Sequence, residues 1–173
     1  MTQRPVVRTA GHNDLAPLLS LAIETFRDTY AHHNTAADMD LYLREHFTAA
    51  RLTEELQTPS SCFLLVHLGE SLVGYAGLRE QDPGIPTSVS PWWEIERFYV
   101  DKAWHGKGLA HPLMEACKAE ALQRNYAGLW LGVWENNRRA RRFYEKMGFR
   151  DEGKKDFVLG KDRQTDHILV FPL

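Results

Sequence analysis

The sequence of 173 residues predicts one α/β domain spanning 1–173, three layers thick, with a mixed and mostly antiparallel sheet. Three observations predict it. A β-branched and aromatic run from Trp92 to Val100, an apolar helical stretch from Lys107 to Asn125 and a second strand-like run from Gly128 to Trp134 make a strand-helix-strand unit, which requires a parallel pair. Two runs of strand-forming residues, Cys62 to His67 and Ser71 to Leu78, are separated only by Leu68-Gly69-Glu70, which makes a hairpin and demands antiparallel neighbours. With 43% hydrophobic residues, a chain of this length can bury a core without disulfide or metal staples.

In chain order, Val6 to Thr9 reads as a first strand, followed by a helix capped by Asn13 or Asp14. Its apolar residues Leu15, Leu18, Leu19, Ala22, Ile23, Phe26 and Tyr30 keep helical spacing. A second helical region runs from Ala36 to Gln57, is interrupted near His46 to Ala49 and stops before Pro59. After the hairpin, Asp-Pro-Gly and Ile-Pro make Gln81 to Pro91 a loop that leads into the strand at Trp92. A helix from Asn136 to Lys146, strands from Phe149 to Leu159 and Thr165 to Phe171, and a turn at Gly160 to Arg163 complete the chain.

Composition excludes several function classes. A net charge of −2 does not recruit nucleic acid, and no apolar run of about 18 residues or basic amphipathic helix points to a membrane. Cys62 and Cys117 sit in a strand-like and a helix-like run, read as small buried hydrophobes, and fit a reduced, cytoplasmic setting. The eight histidines are scattered, and the adjacent pair His32 and His33 diverges on any regular element, so no metal is expected.

Two motifs carry chemistry. His105-Gly106-Lys107-Gly108-Leu109-Ala110 joins a strand to an apolar helix. Its glycines let backbone approach a ligand, and the unpaired N–H groups at a helix start favour a pyrophosphate. It lacks the Gly-Lys-Ser/Thr of a P-loop and the third small residue of a dinucleotide fingerprint. The second motif follows the strand Leu129 to Trp134: Asn137, Ala140 and Tyr144 share one helix face, and Gly148 stops that helix before Phe149.

Together these motifs resemble the Gcn5-related N-acetyltransferase family, abbreviated GNAT. Its Arg/Gln-x-x-Gly-x-Gly/Ala signature falls on His105 to Ala110, with histidine at the first position. Its Asn-x-x-Ala-x-x-x-Tyr-x-x-x-Gly-Phe pattern is matched by Asn137, Ala140, Tyr144, Gly148 and Phe149. Ile23 to Tyr30, Glu94-Ile95-Glu96-Arg97, Trp130 to Glu135 and Gln164-Thr165-Asp166 extend the resemblance to the branch of PaiA-like polyamine acetyltransferases.

The resemblance implies that the parallel strands carrying Phe98 to Val100 and Trp130 to Trp134 splay apart around acetyl-CoA. Main-chain groups of Phe98, Tyr99 and Val100 would pair with its pantetheine arm as a neighbouring strand would. A strand N–H would polarise the thioester carbonyl, an effect worth about 3 to 4 kcal/mol in comparable sites. The amides of His105, Gly106, Lys107, Gly108, Leu109, Ala110 and His111 would hold the pyrophosphate, Lys107 adding charge. Histidine at position 105 would make affinity more sensitive to pH near neutrality. Asn137 either binds the cofactor or caps its helix.

Tyr144 is the candidate general acid, because a phenol with a pKa of about 10 is protonated and can donate to the departing thiolate. The acceptor nitrogen must lose a proton first. Glu94 and Glu96, two apart and so on one strand face, are the candidates to relay it, or one of them pairs with Arg97. Glu24, Asp28 and Tyr30 on the first helix would grip the distal ammonium groups of a polyamine such as spermidine or spermine. Another small amine, an antibiotic, a protein amino group or a non-catalytic acyl-CoA sensor stays open, as does a homodimer.

Overall fold

The computed structural model describes residues 4–86, 90–159 and 161–173, so part of the loop before Trp92 and the turn residue Gly160 lie outside the described residues. Among the described residues seven strands and five α-helices follow in chain order, the strands forming the sheet: β1 (Val6–Thr9), α1 (Leu15–Tyr30), α2 (Ala36–His46), α3 (Ala49–Gln57), β2 (Ser61–Leu68), β3 (Ser71–Glu80), β4 (Trp92–Val100), α4 (Ala110–Gln123), β5 (Gly128–Trp134), α5 (Arg138–Lys146), β6 (Arg150–Leu159) and β7 (Asp162–Pro172). They form one sheet in the order β1-β2-β3-β4-β5-β7-β6, in which only β4 and β5 run parallel.

The layers follow from period-two alternation. On β2, Cys62, Leu64 and Val66 pack with Leu113, Met114 and Cys117 of α4 and Tyr144 of α5, while Phe63 and Leu65 pack with Leu18 and Phe26 of α1 and Leu52 of α3. Helices therefore cover both faces. The interruption expected near His46 to Ala49 is a true break: Phe47 leaves helical backbone, and the Thr48 hydroxyl caps α3 by accepting from Arg51 N–H at 3.2 Å.

Two differences from the sequence reading matter. The helix expected from Lys107 begins at Ala110, because Gly106 and Gly108 hold φ of +77° and +76°, a left-handed backbone no helix interior accepts. The last strand starts at Asp162, not Thr165, since β6 and β7 keep pairing out to Leu159 and Asp162.

The parallel pair is short. Register runs through Trp92 with Gly128, Trp93 with Leu129 and Glu94 with Trp130, and then the strands part. The cause is a bulge: Ile95 faces Leu78 and Arg97 faces Gly77, leaving Glu96 as an extra residue on β4. Beyond it β4 follows β3 while β5 follows β7, so a wedge opens at the C-terminal ends of the parallel strands.

Candidate functional site

The wedge is the middle of a cleft of about 1450 Å³ that runs from the glycine turn, through the gap between β4 and β5, to a wall built by α1, β6 and β7. Gly106, Gly108, Leu109, Ala110 and His111 line one end, Phe98, Val100 and Tyr144 the middle, and Asp28 and Tyr30 the other end.

Main-chain direction in β4 follows from its pairing. Asp101 N–H donates to Val73 O at 2.9 Å, and Gly74 pairs with Val100, Tyr75 with Tyr99 and Ala76 with Phe98. Opposed residues alternate between bonded and unbonded pairs, so the N–H and C=O of Phe98 and Val100 turn into the gap while those of Tyr99 turn toward β3. This corrects the expectation for Tyr99, whose place in the cleft comes from its side chain.

At the glycine turn, a Cβ on Gly106 or Gly108 would meet nothing within 4 Å; backbone conformation, not crowding, requires these glycines. Lys107 does not line the cleft, because its Nζ sits 4.2 Å from the centre of the Trp104 ring. A cation held beside the turn is Arg139, the second residue of α5, which sequence reasoning did not pick. Its Nη1 lies 2.9 Å from His105 Nδ1, and His105 Nε2 lies 2.8 Å from Val100 O. A guanidinium only donates, so Nδ1 accepts, Nε2 carries the hydrogen given to Val100, and the ring is neutral. His105 thus braces Arg139 against the end of β4.

Tyr144 is 7% exposed and lies among Phe98, Phe143 and Phe149, with ring centroids 5.4 to 6.0 Å away. Burial pushes its hydroxyl above the usual phenol range, so it holds its proton at any working pH. Asn137 Oδ1 accepts from Ala140 N–H at 3.2 Å: the structure gives this residue the capping role.

Glu94 and Glu96 both line the cleft, and both are engaged. Glu94 Oε2 accepts from Arg79 Nε at 2.7 Å, with Lys155 Nζ at 3.5 Å from its other oxygen. Arg79 Nη1 reaches Glu96 Oε1 at 3.2 Å, and Arg97, bonded to both oxygens of Glu55, is 3.9 Å from Glu96. The two glutamates share one guanidinium that the sequence reading did not include. Of the helix residues, Asp28 and Tyr30 reach the cleft, but Glu24 is exposed and does not. Glu24 lies one turn before Asp28, and the cleft meets only the last turns of α1.

A carboxylate that sequence analysis did not select stands at this end. Asp166 of β7 is 7% exposed, Oδ1 is buried without a hydrogen-bond partner, and no cation approaches within ion-pair distance among the described residues. Burial raises its pKa to about 6, with Glu135 adding to the rise and Lys155 and His167 opposing it. Room for it comes from Gly132, where a Cβ would stand 2.7 Å from Lys155 Cε and 3.0 Å from Asp166 Oδ2. Among the described residues no three His, Cys, Asp or Glu side chains gather around a common point as a metal requires, and no helix is long and apolar enough to cross a membrane.

Known proteins agree with this geometry. The family model described as acetyltransferase (GNAT) family matches residues 19–149. An uncharacterized N-acetyltransferase from the pepI 3' region of Lactobacillus delbrueckii subsp. lactis is 34% identical over 98% of this chain and 97% of its own length. A probable spermine N(1)-acetyltransferase of Bacillus subtilis subsp. natto is 35% identical over 36% of this chain and 42% of its own length. The fold is that of PaiA N-acetyltransferase from Thermoplasma acidophilum, solved in complex with coenzyme A: TM-score 0.79, 20% identity, 98% of this chain and 99% of that one.

A splayed parallel pair beside a glycine turn defines an acetyl-CoA-dependent N-acetyltransferase. The chain belongs to the GNAT family.

Proposed function

We propose that the enzyme transfers acetyl directly to a primary amine, and that a polyamine carries that amine. The observation that carries this reading is the charge left at the acceptor end. Arg51, Arg79, Arg97 and Lys155 are engaged by Glu55, Glu94 and Glu96, while Asp28, Glu45 and Asp166 of the cleft wall pair with none of those cations. One anion is buried and two are exposed, an arrangement suited to a chain of ammonium groups rather than to one.

Acetyl-CoA supplies the acetyl group as a thioester. The N–H groups of Phe98 and Val100 are the main-chain donors for the pantetheine arm and the thioester carbonyl, and the glycine turn with Arg139 is the seat for the diphosphate. Tyr144 supplies the proton to the sulfur. Glu94 and Glu96, tied to Arg79, order that wall and leave the attraction for a cation to the unpaired acids.

The test is turnover of acetyl-CoA against a panel of di- and polyamines, monoamines and amino acids. Polyamines are expected to have the highest kcat/KM. Turnover of monoamines or amino acids alone would reject the polyamine acceptor and leave the transferase assignment in place.

A further inference from the structure

We infer that Asp166 receives the reacting ammonium group of the acceptor and takes its proton. This rests on the amine-acceptor reading above and adds to it the residue that activates the nucleophile.

Three observations converge on Asp166. It is nine-tenths buried on the wall of the cleft, with an oxygen that no hydrogen bond satisfies. A buried polar atom without a partner costs free energy comparable to a lost hydrogen bond, so such an atom on a binding wall is a place kept for a ligand donor. Second, Gly132 on β5 and the pairing of Asp166 with Trp134 and Lys155 bring it beside the strand that forms one edge of the gap. Third, the two glutamates named as proton relays, Glu94 and Glu96, are already paired with Arg79, and Glu94 also with Lys155, whereas Asp166 has no cation at ion-pair distance among the described residues.

The charged and titratable groups around it are Lys155 from β6, His167 on β7, Glu135 after β5 and Tyr30 from α1. His33 lines the same end, its ring 4.8 Å from that of Trp134. Burial leaves Asp166 more basic than an ordinary carboxylate and still ionised above a pH of about 6, the state needed both to hold a cation and to accept its proton.

The proton inventory closes. The N–H bond of the ammonium breaks toward a carboxylate oxygen of Asp166, which becomes a carboxylic acid and frees the nitrogen lone pair. Nitrogen bonds to the thioester carbonyl carbon and the C–S bond breaks. The Tyr144 hydroxyl gives its proton to the sulfur and is reprotonated by the second N–H, leaving the amide and a thiol. Asp166 then releases its proton to water.

The test compares wild-type protein with Asp166→Asn and Asp166→Glu. Acetyl-CoA affinity by calorimetry should stay within about twofold for both, which also reports folding. With whichever amine the wild type acetylates best, Asp166→Asn should lower kcat roughly 10²-fold or more and abolish the acidic limb of the kcat/KM profile, with Asp166→Glu partly restored. An unchanged acidic limb, or a rise in KM with kcat intact, would overturn the proton transfer.

A second arm needs no turnover. The ¹³C titration of the Asp166 carboxyl, assigned by its loss in Asp166→Asn, should move down by about one unit when propylammonium is added to the coenzyme A-loaded protein. An unmoved midpoint would overturn the contact. If polyamines fail as acceptors but this midpoint moves, the acceptor assignment falls and the role of Asp166 stands.

Discussion

The two ends of the cleft are made of different material. At the proposed cofactor end the groups that face the cleft are main chain: the N–H groups of Phe98 and Val100 and the C=O of Phe98 in the wedge, and amides at Gly106 and Gly108 held at positive φ. At the acceptor end they are side chains from α1, β3, β4, β6 and β7, tied into ion pairs around Arg79 and Lys155 or left unpaired at Asp166. A main-chain site depends on strand geometry and tolerates wide change of sequence. A side-chain site changes with each substitution, which is how one fold serves many acceptors.

Substitutions at the boundary should separate the two ends most sharply. Tyr144→Phe removes only the hydroxyl from a fully packed ring, so kcat should fall by roughly 10²-fold while calorimetric affinity for acetyl-CoA stays the same. Unchanged turnover would remove this residue from the acid role.

Arg79→Met strikes the acceptor end alone. It leaves Glu94, whose side chain is 5% exposed, with only Lys155 at 3.5 Å, and should destabilise the protein by about 2 kcal/mol in urea unfolding at pH 7.5. Arg79→Lys, which keeps the charge and loses the fork, should recover part of that deficit. Equal deficits in the two variants would mean that packing and fork geometry, not charge, was lost.

Asp166→Asn should have the opposite sign. The native state binds the Asp166 proton more tightly than the unfolded chain, so this group takes stability away as pH rises from about 4 to about 6. Removing the charge should therefore raise stability by roughly 1 to 2 kcal/mol at pH 7.5 and by almost nothing at pH 4, read from urea midpoints. A destabilised variant at pH 7.5 would show that the carboxylate has a partner in the free enzyme.

The smallest effect belongs to the cofactor end, where amides share the load. Arg139→Gln should weaken coenzyme A about fivefold, the worth of an exposed charge pair near 1 kcal/mol, and leave the acceptor KM unchanged.

The contrast also explains what could be read from sequence. The hairpin of β2 and β3, the strands β4 and β5, and the glycine turn were legible because each is local: alternation, a short turn, a motif of six letters. The position of Glu24 was misjudged because helical spacing gives the face but not how far the neighbouring wall extends along it. Asp166 was quoted for its resemblance and not chosen, because its placement depends on β7 inserting between β5 and β6, a pairing no local pattern encodes. Arg79 was missed for the same reason: its partner Glu94 is fifteen residues away, across a loop, on the neighbouring strand.

The bare α-carbon of Gly132 leaves the space into which the Lys155 stem and the Asp166 carboxylate settle. A methyl there would push against both, so under the proposed role of Asp166 a single codon on β5 is a lever on the geometry of the acceptor end. Gly132 is therefore the position at which to begin reshaping which amines this catalyst accepts.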